Sequence, residues 1–311
     1  MLYFFAFFTA LAITMILVPP WRQVALPWGF VDRPNQRKVH IRTVPRIGGI
    51  AMMAGFLVPF LMWIPLDRPF ASILIGVLVL AAFGIWDDRN DLDYRMKFAG
   101  QLVAVGIAVF YGGIVIDRFP FFGLDALPSG LSIPITIIVL VGVTNAINLS
   151  DGLDGLAGGV AALSFGGVAF LAYVVEGAGL ALAALAALGA LLGFLRYNTW
   201  PARVFMGDAG SQYLGFVLGT LVVVLTQDVH SAMSPAVGLL LVGLPLLDTT
   251  MVMIGRLCRG RSPFSADRTH IHHRFLDLGF DHYEAVTLIY LAQATLVVAA
   301  VLLRYQSDAV L

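Results

Sequence analysis

From Met1 to Val18 the chain carries no charged side chain, and apolar stretches of similar length recur up to residue 304. Inside a lipid bilayer every backbone N–H and C=O must find a partner within the protein, which leaves helices and closed barrels as spanning structures. Runs of about 20 apolar residues select the helix. Composition points the same way: 59% of the 311 residues are hydrophobic and 12% charged, whereas soluble domains carry roughly 25% charged residues. The runs predict helices at about 1–19, 47–65, 70–86, 98–116, 131–147, 156–175, 179–195, 211–227, 232–256 and 284–304. The expected fold is all-α: a polytopic integral membrane helical bundle of about ten transmembrane helices, forming one domain over 1–311. The first run has no Lys or Arg ahead of it and no small-x-small cleavage pattern. It therefore reads as a retained helix with its N-terminus outside.

Charge placement orients the bundle. Of the 19 Lys and Arg residues, all but Arg68, Arg118 and Arg304 fall in loops that follow odd-numbered helices. Cytoplasmic loops carry the excess of positive charge, so these loops face the cytoplasm, and both termini face outward. Asp87, Asp88, Asp91, Asp93, Asp151, Asp154, Asp208 and Asp267 gather on the same side, as does every histidine except His230. Function is expected at the cytoplasmic face. A net charge of zero gives no reason to expect nucleic acid as a partner. The single cysteine, Cys258, excludes an internal disulfide and a Cys-rich metal site.

Five clusters carry chemistry. Asp87 and Asp88 end the third helix, with Asp91, Asp93 and Lys97 after them. Adjacent carboxylates repel unless a cation or proton is shared, and Mg²⁺ favours a few carboxylates with phosphate oxygens and water. A solvated helix end is the competing reading, and it suits Asp91 and Asp93 better. Next, Asn145, Asn148, Asp151 and Asp154 recur every third residue, which on a helix makes one stripe; Asx turns are the alternative. The Phe205–Ser211 segment is glycine-rich and opens a helix. Such a start offers free N–H groups to phosphate, Asp208 could hold the bridging metal, and a Ser211 N-cap is the alternative. His270, His272, His273 and Arg274 lack zinc-site spacing and suit a diphosphate clamp together with Arg268. Asp248 follows Pro245 inside the ninth span, where a carboxylate is a functional candidate by default. The basic segment Arg33–Arg46 either marks the cytoplasmic side or attracts anionic head groups.

Together these predict phosphoryl transfer between a nucleotide-activated group and a membrane lipid, chemistry that rests on positioning and charge neutralisation. A secondary transporter would show ionisable groups at mid-membrane and often repeats; here the acids sit at helix ends and no repeat is visible. A non-catalytic scaffold would need neither the Asn/Asp stripe nor the His/Arg cluster.

At these residues the chain resembles the polyprenyl-phosphate N-acetylhexosamine-1-phosphate transferase superfamily. The likeness is carried by Asp-Asp-x(3)-Leu-x(4)-Lys-x(3)-Gln at Asp87–Gln101 and Asn-x-x-Asn-x-x-Asp-Gly-Leu-Asp-Gly-Leu at Asn145–Leu156. Phe-x-Gly-Asp-x-Gly-Ser at Phe205–Ser211, Pro-Leu-Leu-Asp-Thr at Pro245–Thr249 and Arg-x-Gly-Gly at Arg46–Gly49 extend it. His-Ile-His-His-Arg looks like the WecA-like branch rather than the MraY type, which transfers phospho-MurNAc-pentapeptide and usually shows three consecutive histidines. The resemblance implies a reaction of UDP-N-acetylhexosamine, GlcNAc first, with undecaprenyl phosphate, releasing UMP and making the lipid-linked first sugar of a cell-surface polysaccharide such as O-antigen. It implies a bacterial plasma-membrane enzyme, Mg²⁺ (or Mn²⁺) and a homodimer. By resemblance Asp208 is a Mg²⁺ ligand, with Asp88 and Asp151 at the metal or diphosphate, and Asp87 engages the acceptor phosphate. Asn148 and Asp154 face the nucleotide, with Asn145 in the same substrate-binding motif. His270, His272, His273 and Arg274 form the clamp. Lys97 holds lipid phosphate or nucleotide, and Asp248 lies near a lipid-facing groove.

Overall fold

The computed structural model describes residues 1–32, 43–118, 127–175, 177–227, 233–262 and 269–306. The expectations for Arg33, Arg37, Lys38, His40, Arg42, His230, Asp267 and Arg268, and for the C-terminal end, lie outside the described residues. The described chain is helical apart from one minimal sheet, in keeping with an all-α polytopic membrane protein. Its helices are α1 (Leu2–Trp28), α2 (Gly48–Trp63), α3 (Arg68–Asn90), α4 (Tyr94–Gly106), α5 (Ser129–Leu149) and α6 (Leu156–Val174). They continue with α7 (Ala178–Asn198), α8 (Gly207–Gln227), α9 (Ala236–Leu241), α10 (Gly243–Cys258), α11 (Ile271–Asp277) and α12 (His282–Leu303). Seven of them, α1, α3, α5, α6, α7, α8 and α12, are long and apolar enough to cross a membrane. The other three expected spans correspond to shorter pieces: α2, α4 with a π-turn at Ile107–Tyr111, and the pair α9–α10.

The bundle is built around α8, whose residues from Ala209 to Val223 are all buried. It packs against α2, α3, α5, α6 and α7. Small residues let transmembrane helices approach closely, and two such approaches lie at the start of α8. A Cβ on Gly84 would sit 2.3 Å from Ala209 Cα, and one on Gly49 2.3 Å from Gly210 N. These contacts bring the end of α3, with Asp87 and Asp88, against the first turn of α8.

At this pole a short antiparallel pair, β1 (Val31–Asp32) and β2 (Val44–Pro45), lies beside the chain entering α8. Phe205 N donates to Pro45 O at 2.8 Å, and Gly48 N to Phe205 O at 3.0 Å. At the opposite pole Arg118 N donates to Gln227 Oε1 at 2.8 Å and Ser234 N to Arg304 O at 3.2 Å. The acidic motifs therefore share one end of the bundle, and Arg118 and Arg304 share the other.

The ninth span corrects the expectation of one helix over 232–256, kinked at Pro245. It is two helices, broken at Val242. Proline has no N–H, so Pro245 leaves the carbonyl four residues earlier, Leu241 O, without its helical donor. A residue of α12 takes over: Gln293, fully buried, donates from Nε2 to Leu241 O at 2.9 Å and accepts Leu244 N at 3.2 Å. Its Nε2 also reaches Ser164 Oγ on α6 at 3.1 Å. Replacing Gln293 by Leu is expected to cost about 1–3 kcal/mol, the penalty for stranding buried polar groups, seen as a lower melting temperature in detergent. In a Pro245→Ala background, where residue 245 regains its N–H, the same change should cost less. Equal losses in both backgrounds would contradict this account of the break.

Candidate active site

The acidic pole surrounds a basin of about 360 Å³. One wall is the first turn of α8. Gly207 there has φ +69°, and a Cβ on it would lie 2.5 Å from the Asp88 carboxylate. Asp88 is buried and accepts Asp208 N at 2.8 Å and Ala209 N at 3.2 Å. A carboxylate on the exposed N–H groups of a helix start satisfies them and offsets the positive dipole end. This corrects the expected phosphate nest: the helix opens at Gly207 rather than at Ser211, and two of its free N–H groups already bind Asp88. Ser211 lies inside α8, where its hydroxyl donates to Gly207 O at 3.1 Å.

With its backbone held, Asp208 turns its carboxylate to the basin. Asn148 Nδ2 donates to Asp208 Oδ1 at 2.7 Å and also lies 2.7 Å from Ser211 Oγ. Lys97 Nζ lies 2.6 Å from Asp208 Oδ2 and 2.6 Å from Asp87 Oδ2. Asp87, buried near the end of α3, also accepts Leu92 N at 2.7 Å. The four elements α3, α4, α5 and α8 thus each contribute one member of a charged cluster: Asp87, Lys97, Asn148 and Asp208.

The opposite wall is the turn after α5. The helix stops at Leu149, so the expected stripe divides: Asn145 and Asn148 stay on α5, while Asp151 and Asp154 lie in the turn. Asn148, Asp151 and Asp154 line the basin. Asn145 does not; it lies beneath, bonded to Gln101. Asp154 Oδ2 accepts Ala202 N at 2.8 Å, tying this turn to the loop before α8. The Asp151 carboxyl opens to solvent yet stands between protein walls. That enclosure, and then the negative charges of Asp208 and Asp154, push it up to about 7, with Arg46 acting the other way.

The histidine run splits by role. His270 precedes α11, and its Nδ1 lies 2.8 Å from Asp248 Oδ2, while Ile271 N donates to Asp248 Oδ1 at 2.9 Å. Asp248 therefore anchors the start of α11. His272 is buried against Gly152, where a Cβ would come within 2.2 Å of its Nε2. His273 lines the basin. Arg274 is exposed on α11 and is not part of the basin wall. Only His273, of the four expected clamp residues, reaches the cavity.

Several wall residues were not singled out from the sequence. Trp200 and His282 both line the basin, their rings stacked 4.4 Å apart. His282 was visible only as one more histidine on the cytoplasmic side, and Trp200 only as an aromatic in a polar loop. Asp32, at the basin edge, accepts from Arg46 Nη2 at 2.5 Å, and Arg46 Nη1 reaches Asp91 at 3.2 Å. Asp91 thus pairs with Arg46, whereas Asp93, exposed just before α4, makes no side-chain cap bond to that helix.

Among the described residues no three Asp, Glu, His or Cys side chains stand close enough to enclose a metal ion. Mg²⁺ does not need such a cage, since it usually binds one or two carboxylates with substrate phosphates and water. Asp208 and Asp151, both on the basin wall, fit that requirement, and the repulsion from Asp208 that adds to the effect of enclosure on Asp151 is the kind a cation relieves. Asp88, the third expected ligand, has each carboxylate oxygen on a backbone N–H of α8.

A helical membrane protein with an acid-lined basin at one pole defines a class, and the sequence comparison names it. Residues 70–226 match the model of glycosyl transferase family 4. The chain belongs to that family and, within it, to the polyprenyl-phosphate N-acetylhexosamine-1-phosphate transferase superfamily. The match spans α3 to α8, which hold Asp87, Lys97, Asn148 and Asp208. A relative in Bacillus subtilis (strain 168), named as a probable undecaprenyl-phosphate N-acetylglucosaminyl 1-phosphate transferase, is 34% identical over 96% of this chain and 84% of its own length. The decaprenyl-phosphate N-acetylglucosaminephosphotransferase of Mycolicibacterium smegmatis is 35% identical over 91% of this chain and 77% of its own. The undecaprenyl-phosphate alpha-N-acetylglucosaminyl 1-phosphate transferase of Escherichia coli (strain K12) is 34% identical over 91% and 79%.

Burial holds His272 neutral: the loss of hydration, then the neighbouring His273 and His270, push it down to about 3. Between that value and the ordinary histidine pKa of about 6.5, the unfolded chain binds a proton that the folded protein does not. Stability from this group is therefore whole above about 6.5 and falls by about 1.4 kcal/mol per pH unit below it. The melting temperature of the wild type should drop more between pH 6.5 and 5 than that of His272→Gln. Parallel curves for the two proteins would show that His272 protonates in the folded state.

Proposed function

We propose that this protein transfers GlcNAc-1-phosphate from UDP-GlcNAc to undecaprenyl phosphate, at the cytoplasmic face of the bacterial plasma membrane, and releases UMP. One observation carries the reading: a single lysine ammonium, Lys97, held 2.6 Å from both Asp87 and Asp208, the latter on the wall of an acid-lined basin. The names of the relatives, each built on a polyprenyl phosphate and N-acetylglucosamine, support the acceptor and the sugar. They favour this donor over UDP-MurNAc-pentapeptide. The positive-inside pattern supports the cytoplasmic placement.

In this reading Asp208 and Asp151 would hold Mg²⁺. The ion supplies charge neutralisation on the phosphoryl group undergoing transfer. Asp88 fixes the first turn of α8 and so the direction of Asp208. Asn148 holds the other oxygen of Asp208. Asp154, His273 and the Trp200–His282 pair form the wall against which nucleotide and sugar lie. Asp87 and Lys97 face the acceptor: the ammonium attracts the lipid phosphate, and the carboxylate takes its proton when one is present. With a second phosphate pKa near about 6, the acceptor is mostly a dianion at neutral pH and attacks the donor phosphorus directly. The P–O bond to UMP breaks as the new P–O bond forms.

UMP release by purified protein, with undecaprenyl phosphate, UDP-GlcNAc and Mg²⁺, tests the reading. Asp208→Ala should lower the rate by at least about 10²-fold, the scale of losing one charge-stabilising group, and chelation of divalent ions should stop it. Release only with UDP-MurNAc-pentapeptide would move the protein to the other branch; silence with every UDP-amino sugar, from folded protein, would end the proposal. Asp87→Asn should be more damaging at pH 6 than at pH 9, where the acceptor no longer has a proton to lose. Equal loss at both pH values, or stoichiometric UMP release without lipid, would point instead to a covalent aspartyl-phosphate path.

A further inference from the structure

One turn deeper than the charged cluster, the same three helices meet again through uncharged groups. Lys97 and Gln101 are one turn apart on α4, Asn148 and Asn145 on α5, and Asp208 and Gln212 on α8. Above, Lys97 and Asn148 converge on Asp208. Below, Asn145 Nδ2 donates to Gln101 Oε1 at 2.7 Å, and Gln101 Nε2 reaches Gln212 Oε1 at 3.2 Å and Asn145 Oδ1 at 3.3 Å. Gln101 and Gln212 are each 2% exposed. Amides buried at membrane depth are costly unless bonded, so this layer is a specific arrangement and not incidental polarity.

We infer that Gln101, Asn145 and Gln212 are positioning residues that set the rotation and depth of α4 and thereby hold the Lys97 ammonium between Asp87 and Asp208. The geometry of α4 shows why the device is needed. It is a 13-residue helix that passes into a π-turn, and it packs on α3 and α5. It reaches α8 through two long side chains, Lys97 to Asp208 and Gln101 to Gln212. A lysine has four rotatable bonds and no preferred direction of its own. The hydrogen bonds of Gln101 to Asn145 and Gln212, one turn below, restrict where its Cα can move. The layer also accounts for Asn145, which the sequence placed with the substrate contacts and the structure places under them.

The test exploits the lysine count: Lys38 and Lys97 are the chain's only two lysines. An amine-reactive reagent read by mass spectrometry gives the labelling of Lys97 relative to Lys38 in the intact protein in detergent. The triple variant Gln101→Met, Asn145→Leu, Gln212→Met removes every polar group of the layer at nearly constant shape, a change that can be close to neutral for folding. Lys97 labelling should rise severalfold in it. The kinetic arm rests on the transferase reading: kcat should fall by about 10²-fold, the cost of a displacement near 1 Å, with KM for UDP-GlcNAc little changed. Should the triple variant not fold, Gln101→Met alone, which leaves Asn145 bonded to Val141 O at 2.8 Å, should move both readouts in the same directions. Unchanged Lys97 labelling overturns the inference whatever happens to turnover. Increased labelling in a protein whose wild type releases no UMP supports the positioning role and faults the transferase reading alone.

Discussion

Two carboxylates held on one ammonium, at the edge of a membrane, set the terms for the rest of the structure. Asp87 is buried, and Asp208 lies on a helix whose interior is wholly enclosed. Unpaired charges in such a place would be destabilising by several kcal/mol each. Lys97 can reach both only if α3, α4 and α8 are in one register. The small residues where α3 and α2 touch α8 bring the helices close enough for that register to exist. Asp88 completes it by binding the opening N–H groups of α8. Side chains of ordinary type thus acquire a direction, and the polar end of the bundle becomes a basin.

The positions of the apolar helices were legible because hydropathy is a local property of a chain in lipid. The break at Val242 was not. Pro245 announces a kink, but where the helix opens depends on Gln293, which arrives from α12 to satisfy Leu241 O. A residue far away in sequence decides the boundary. The same limit applies to α11, a seven-residue helix, where Ile271 N is bound by Asp248 from α10.

At the site, residue type was more legible than residue role. Asp87, Lys97, Asn148 and Asp208 do converge, and Asp151 and Asp154 do line the cavity. A three-residue period, however, assumes that a helix continues; α5 ends at Leu149, so Asn145 falls below the basin and Asp151 across it. The histidine run looked like one clamp because its members are neighbours in sequence. On α11 successive side chains point in different directions, so His273 meets the cavity, His272 packs on Gly152 and Arg274 faces solvent. Trp200 and His282 lie far apart in the chain and stack only once the bundle has formed.

Lys97 and Asp208 act as one unit in transfer, and a double-mutant cycle on the rate measures their coupling. Lys97→Met, Asp208→Asn and the double variant would be assayed for lipid-dependent UMP release under the same conditions. The double variant should lose far less than the product of the two single losses, a coupling of about 1–3 kcal/mol. Losses that simply multiply would contradict it and show that the two groups contribute independently.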